Sequence, residues 1–188
     1  MPNATDRTVL LLCALISAPA AAAPFDQSLE LQGVSFHVQC PNEGSINTVT
    51  ITPSGLQADN SAITREADGV VTGAEVADLN ADGSPEVYVY TQSAGSGSYG
   101  DLIAYAANRG QALSEITLPA IADDPEAARG YMGHDAFAVV GDKLVRRFPV
   151  YRDGDTNAQP SGGMRQIQYR LVPGESGWML RKEWITAD

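Results

Sequence analysis

The sequence predicts an all-β fold, an antiparallel β-sandwich of about eight strands with one or two short helices. Three observations lead there. Most of the chain beyond its start breaks into short runs rich in β-branched and aromatic residues, each bounded by Gly, Pro, Asn or Asp. Several of those boundaries have hairpin chemistry, such as "NRGQ", Gly141-Asp142 and "PGESG". One stretch, "DDPEAARG", has helical chemistry, with Pro125 at a first-turn position, acids beside it and Gly130 as the stop. In chain order the strand candidates are "LELQGVSFHVQC", "INTVTIT", "EVYVYT", "DLIAYAA", "LSEITL", "AFAVVG", "KLVRRFPVY", "RQIQYRLV" and "WMLRKEWIT". Their uneven lengths favour a sandwich over a regular closed barrel. No repeat, heptad or charge block divides them, so residues 24–188 are expected to form one domain.

Residues 1–23 stand apart. "MPNATDR" is a short charged start, and "TVLLLCALISAPAAAA" is an apolar run ending in small residues. That pattern is a cleaved secretory signal, and Val9 to Ala23 falls short of the roughly 20 apolar residues a membrane span needs. Leu12 before Cys13 is not the small residue that a lipid-anchor cleavage site requires. The mature chain keeps one cysteine, Cys40, so no internal disulfide is available. Cys40 is expected as a buried small hydrophobe, with an intermolecular bridge as the alternative. A net charge of −11 argues against nucleic acid and against an anionic membrane surface as partners.

Counting antiparallel strands places three irregular segments at one end. If "EVYVYT" runs upward, the loop "SAGSGSYG" lies at the top, and so do the segment Pro119–Gly133 and the loop "YRDGDTNAQPSGG". Loops gathered on a rigid frame are where binding usually resides. In the first of them, Gly95, Gly97 and Gly100 lack Cβ atoms and tolerate positive φ, Ser96 and Ser98 offer hydroxyls, and Tyr99 offers a ring with a phenol. The bland reading is a flexible hairpin. In the second, Tyr151 and Arg152 can lie over a partner, and Arg152 can fork onto a carboxylate. Asp153, Asp155 and Asn157 can tie the loop into turns. Here the bland reading is a self-capped surface loop.

Other constellations are thinner. "DLNADGSPE", Asp78 to Glu86, has the first half of a calcium loop, but the twelfth position that should carry a bidentate acid is Val89. An Asx-rich turn feeding the next strand is the better explanation, and no metal or cofactor is assigned. His37 lies in an alternating run and is expected to be half-buried. His134 neighbours Asp135 without a nucleophile motif. Scattered carboxylates could still serve an exported hydrolase, but no pattern places them, and the chain is expected not to be an enzyme.

The two top loops together resemble those of the periplasmic inhibitors of invertebrate-type (i-type) lysozyme. That family pairs a Ser-Gly-x-Tyr loop with a Tyr-Arg-x-Gly-Asp-x-Asn loop. Here they are Ser96, Gly97, Ser98, Tyr99 and Tyr151, Arg152, Asp153, Gly154, Asp155, Thr156, Asn157. The resemblance implies a secreted β-sandwich inhibitor in the periplasm whose partner is an i-type lysozyme, and it suggests a homodimer. It also implies roles. Ser96 would hydrogen-bond a catalytic carboxyl, Gly97 would let the tip pass, and Tyr99 would pack at the cleft mouth or brace the loop. Arg152 would meet acidic groups at the rim, with Asp155 and Asn157 holding the loop's shape. The rival from another class is a calcium-dependent adhesion or carbohydrate-binding module built on Asp78–Glu86.

Overall fold

The computed structural model describes residues 22–187. All but the last two residues of the expected secretory leader lie outside them. The first four strands form one antiparallel sheet in chain order, β1 (Phe25–Leu31), β2 (Val34–Cys40), β3 (Ile46–Ser54) and β4 (Ile63–Asp68). The rest form an eight-stranded sheet from β5 (Val70–Ala77), β6 (Glu86–Gln92), β7 (Gly100–Asn108), β8 (Ala112–Thr117), β9 (Ala136–Val140), β10 (Lys143–Pro149), β11 (Met164–Pro173) and β12 (Trp178–Ala187). Its order is β5-β6-β7-β8-β12-β11-β10-β9. The all-β sandwich expectation holds.

Three details differ from the sequence reading. The described residues contain twelve strands rather than about eight. The run "LELQGVSFHVQC" is a hairpin, not one strand. Leu31 pairs with Val34 across Gln32 (φ 54°) and Gly33 (φ 79°), the two positive φ values that a tight primed turn requires. Gln at the first turn position, where Asn or Asp is usual, hides that signal. Lastly, β8 and β12 pair in parallel, Trp178 beside Ile116, because both climb toward the loop-bearing end.

β4 and β5 were not anticipated, since "ITREADGVVTGAEVA" carries too many charges and small residues to read as strand. Gly69, at φ +99°, turns the chain from the small sheet into the large one. Its N–H donates to Ser45 O at 2.6 Å, and its carbonyl accepts from Asn47 Nδ2 at 2.7 Å. An ideal Cβ there would stand 1.9 Å from Gln92 O.

Two cores follow from this arrangement. Phe36, Val38, Val49 and Ile51 of the small sheet bury against Val71, Val87, Val89 and Tyr105 of the large one. Cys40 lies there too, buried as its bland reading expects. A second core fills the concave side of the large sheet with Tyr88, Tyr90, Leu144, Phe148, Ile167, Tyr169 and Leu180. The sheet curls until its edges meet, where Glu75 on β5 accepts the Val139 N–H of β9 at 2.8 Å and also the Tyr90 hydroxyl. Strand β6 separates the two cores, Val87 and Val89 facing one and Tyr88 and Tyr90 the other. That explains why "EVYVYT" lacks polar alternation.

Glu86 opens β6 fully buried, its carboxyl accepting the Leu79 N–H at 2.8 Å. Burial, above all, raises its pKa from an ordinary 4.5 to about 8. Between those values the folded chain holds a proton that the unfolded chain has released, so stability falls as pH rises through that window. Glu86→Gln removes the effect while keeping an acceptor for Leu79. Relative to wild type, the variant should gain about 2–4 kcal/mol between pH 4.5 and 8.5, at about 1.4 kcal/mol per pKa unit. Urea unfolding at the two pH values checks this; equal differences would refute it.

The expected helix is a 3-10 turn at Ile121–Asp123 followed by α1 (Pro125–Ala128). Asp124 caps α1, accepting from the N–H groups of Glu126 and Ala127, and Pro125 takes a first-turn position. Arg165 from β11 donates to the carbonyls of Ala127 and Arg129 at its other end. This pins the segment beneath the loops.

Candidate loop-built binding site

The three segments expected at one end do meet there. "SAGSGSYG" joins β6 to β7 as a tight finger. Ser98 N–H donates to Gly95 O at 2.9 Å, closing a turn over Ser96 and Gly97, and Ser93 N–H donates to Tyr99 O at 2.9 Å at the base. The Ser93 hydroxyl accepts the Tyr99 N–H at 3.0 Å. Ser96 is exposed at the tip, Ser98 half-buried, and Tyr99 49 % exposed. The finger is a turn closed by hydrogen bonds at its tip and its base.

The glycines act differently from the expectation. Gly95, Gly97 and Gly100 do not take positive φ; the strained residue is Ser98, at φ 42°. Gly97 is buried because the Tyr99 ring folds back over it, and an added Cβ would stand 2.4 Å from Tyr99 Cε2. Gly100 has no room either, with its Cβ position 2.7 Å from Asp135 Cβ.

The second loop is knotted around Asp155. Its carboxylate accepts the Arg152 N–H at 2.7 Å, the Ser161 N–H at 2.8 Å and the Ser161 hydroxyl at 2.9 Å. These bonds, the Arg152 N–H first, lower the Asp155 pKa. Asp155 N–H returns to Arg152 O at 3.0 Å, over a turn in which Gly154 takes φ 90°. Arg152, Asp153 and Gly154 are exposed. Tyr151 is not: it is 7 % exposed, and its hydroxyl donates to Asn157 O at 3.0 Å, so it supports the loop from below instead of covering a partner.

The two loops touch. Asn157 Nδ2 donates to the Ser96 hydroxyl at 3.3 Å, bringing the first and last residues of the paired motifs together. Between them sits the turn Gly133-His134, which sequence reasoning did not connect to either loop. His134 N–H donates to Gly97 O at 2.8 Å, and its ring stacks with Tyr151 at 6.4 Å between centroids. Gly133, at φ +91°, has its Cβ position 2.1 Å from Gly97 O. Tyr131, Asp135 and Arg146 lie beneath. One sequence signal pointed there: in "KLVRRF" the inward positions Leu144 and Phe148 bracket Arg146, a charge where alternation calls for an apolar side chain.

The finger presents hydroxyls and an aromatic ring, and the second loop, which touches it through Asn157, exposes Arg152. Such a surface can enter a cleft and donate to carboxylates. The acidic loop Asp78–Glu86 is occupied internally. Asp78 accepts from the N–H groups of Asp82 and Gly83 and from Gln32 Nε2, and Asp82 accepts from Ser84 N–H. Among the described residues no group of three or more His, Cys, Asp or Glu side chains is placed to hold a metal ion. His37 is half-buried as expected, bonded to Asp26 at 2.8 Å. Among the described residues no helix is long and apolar enough to cross a membrane.

A family model described as periplasmic lysozyme inhibitor of I-type lysozyme matches residues 41–129. That span contains the Ser96–Tyr99 finger and ends before the Tyr151–Asn157 loop. No curated protein and no solved structure matches the chain. Along residues 41–129, from the small sheet to the end of the helical segment, the chain carries the pattern of the periplasmic inhibitors of I-type lysozyme, the family that its loop motifs resemble.

Proposed function

We propose that this chain is an exported inhibitor that blocks an i-type lysozyme by inserting the Ser96–Tyr99 finger into the enzyme's active-site cleft. The observation that carries the reading is the junction of the two loops at one end of the sandwich, Ser96 against Asn157, with Arg152 exposed beside them. A lysozyme cleaves glycosidic bonds with two carboxyl groups flanking a cleft. The exposed Ser96 hydroxyl and the Tyr99 phenol are donors on a probe slim enough to reach them. Arg152 meets acidic groups at the rim, while Asp155 and Tyr151 keep its loop in shape. Because both loops are already folded, little ordering entropy opposes binding. The chain itself does no chemistry in this role.

The test is titration of the mature protein into i-type, chicken-type and goose-type lysozymes while cell-wall lysis is followed. Inhibition of the i-type enzyme is expected; lysis by that enzyme unchanged at excess protein would overturn the proposal. The homodimer that the resemblance implies is checked by sedimentation of the same sample.

A further inference from the structure

We infer that Asp135 is a positioning residue for the finger, holding it from the core through Arg146 and Tyr131; this rests on the proposed inhibitor role. The Asp135 side chain is completely buried and that of Arg146 is 6 % exposed. The carboxylate has three donors from three places. Oδ2 accepts the Gly100 N–H at 3.0 Å and the Tyr131 hydroxyl at 2.7 Å, and Oδ1 accepts Arg146 Nε at 2.7 Å. Arg146 Nη2 donates to the Tyr131 oxygen at 2.9 Å, closing a ring of hydrogen bonds. The guanidinium lies over the rings of Tyr131, Phe137 and Phe148, at 5.2, 5.2 and 5.8 Å from their centroids. Tyr131 reaches the finger a second time, edge-on to the Tyr99 ring at 5.7 Å.

Gly100 is the residue at which the finger becomes β7, so a tie on its N–H fixes the finger's root. The tie reaches through Arg146 into the second core. A buried ion pair is seldom the most stable filling of such a space, and well-packed apolar residues of similar volume are often as good or better. What apolar residues cannot do is accept the Gly100 N–H. The network therefore sets where the finger stands, whatever it adds to the stability of the sandwich.

The test uses the full mature chain in two variants, Tyr131→Phe and the double replacement Asp135→Leu with Arg146→Met. Three readouts are followed: melting temperature, amide hydrogen exchange by residue, and association rate with i-type lysozyme. The double variant leaves the Gly100 N–H and the Tyr131 hydroxyl without their acceptor, so it should stay folded but melt several degrees below wild type. Exchange at Ser98, Tyr99 and Gly100 should quicken at least ~10-fold more than at β2 and β3. Association should slow if, without the Gly100 tie, the finger's main conformer leaves the binding-competent position, because apparent affinity scales with the competent fraction. Unchanged exchange at Gly100 in a folded variant, or exchange raised equally throughout, would overturn the inference. If the double variant does not fold, Tyr131→Phe carries the measurement: it keeps the Asp135 bond to Gly100 but takes one donor from the carboxylate, so exchange at Gly100 should quicken by a smaller factor, ~2-fold or more, and no change there would overturn the inference. If the wild type inhibits no lysozyme, the inhibitor reading fails while the exchange data still decide the role of Asp135.

Discussion

The Ser96→Ala/Tyr99→Ala double variant should need at least ~100-fold more protein than wild type to halve i-type lysozyme activity, with its melting temperature lower by only a few degrees. A hydrogen bond to a charged group contributes roughly 1.5–3 kcal/mol, and a well-seated interfacial tyrosine about 2 kcal/mol or more. Each 1.4 kcal/mol is about tenfold in affinity, so even partial additivity exceeds two decades. The fold should tolerate the change. Ser96 is exposed, and Tyr99, about half exposed, loses its contact with Tyr131 and its cover over Gly97 but no core packing. A dose-response curve that overlays the wild type would eliminate the insertion mechanism. A variant that unfolds would show instead that Tyr99 is chiefly structural.

The second large effect concerns the fold itself. Gly69→Ala is expected to destabilise the protein by roughly 2–5 kcal/mol, read as the shift of the urea midpoint. Two costs combine at this one position. A left-handed backbone costs an L-residue about 1–2 kcal/mol, and forcing a methyl group into filled space typically costs about 1–3 kcal/mol more. Gln92 O, 1.9 Å from the Cβ position, is backbone at the end of β6 and cannot swing aside as a side chain would. Moving Gly69 would also loosen its bonds to Ser45 and Asn47. Gly83→Ala is the control: φ is again positive, at +82°, but no atom lies within 4 Å of the added Cβ. Its cost should stay near 1 kcal/mol. Equal effects at the two positions would show that steric contact at the corner is unimportant.

The strands most visible in the sequence are those with strong local chemistry. "EVYVYT", "DLIAYAA" and "RQIQYRLV" have β-branched and aromatic runs with clear ends, and all three are strands. β4 and β5 escaped because their stability is tertiary: "TREAD" has little apolar surface, and Ala67 and Val71 matter through what covers them. The grouping of loops at one end was legible from antiparallel counting alone, since parity depends on strand number between loops and not on exact boundaries. Adding β4 and β5 before "EVYVYT" left that count intact. The support under the finger was not legible. Asp135 and Arg146 are eleven residues apart in sequence, and nothing local marks Gly100 as their third partner. Tyr151 was misplaced for a related reason: tyrosine suits a surface and an interior equally, and only packing against His134 and Asn157 decides which.

Strand β6 is walled in on both sides, and the finger grows from its end. Peeling that strand away would expose both apolar interiors together. Setting the finger loose at its first root is therefore nearly as costly as melting the entire molecule. Openings at this first root, around Thr91 and Gln92, should follow the denaturant dependence of global unfolding, whereas the tip beyond it can open on its own.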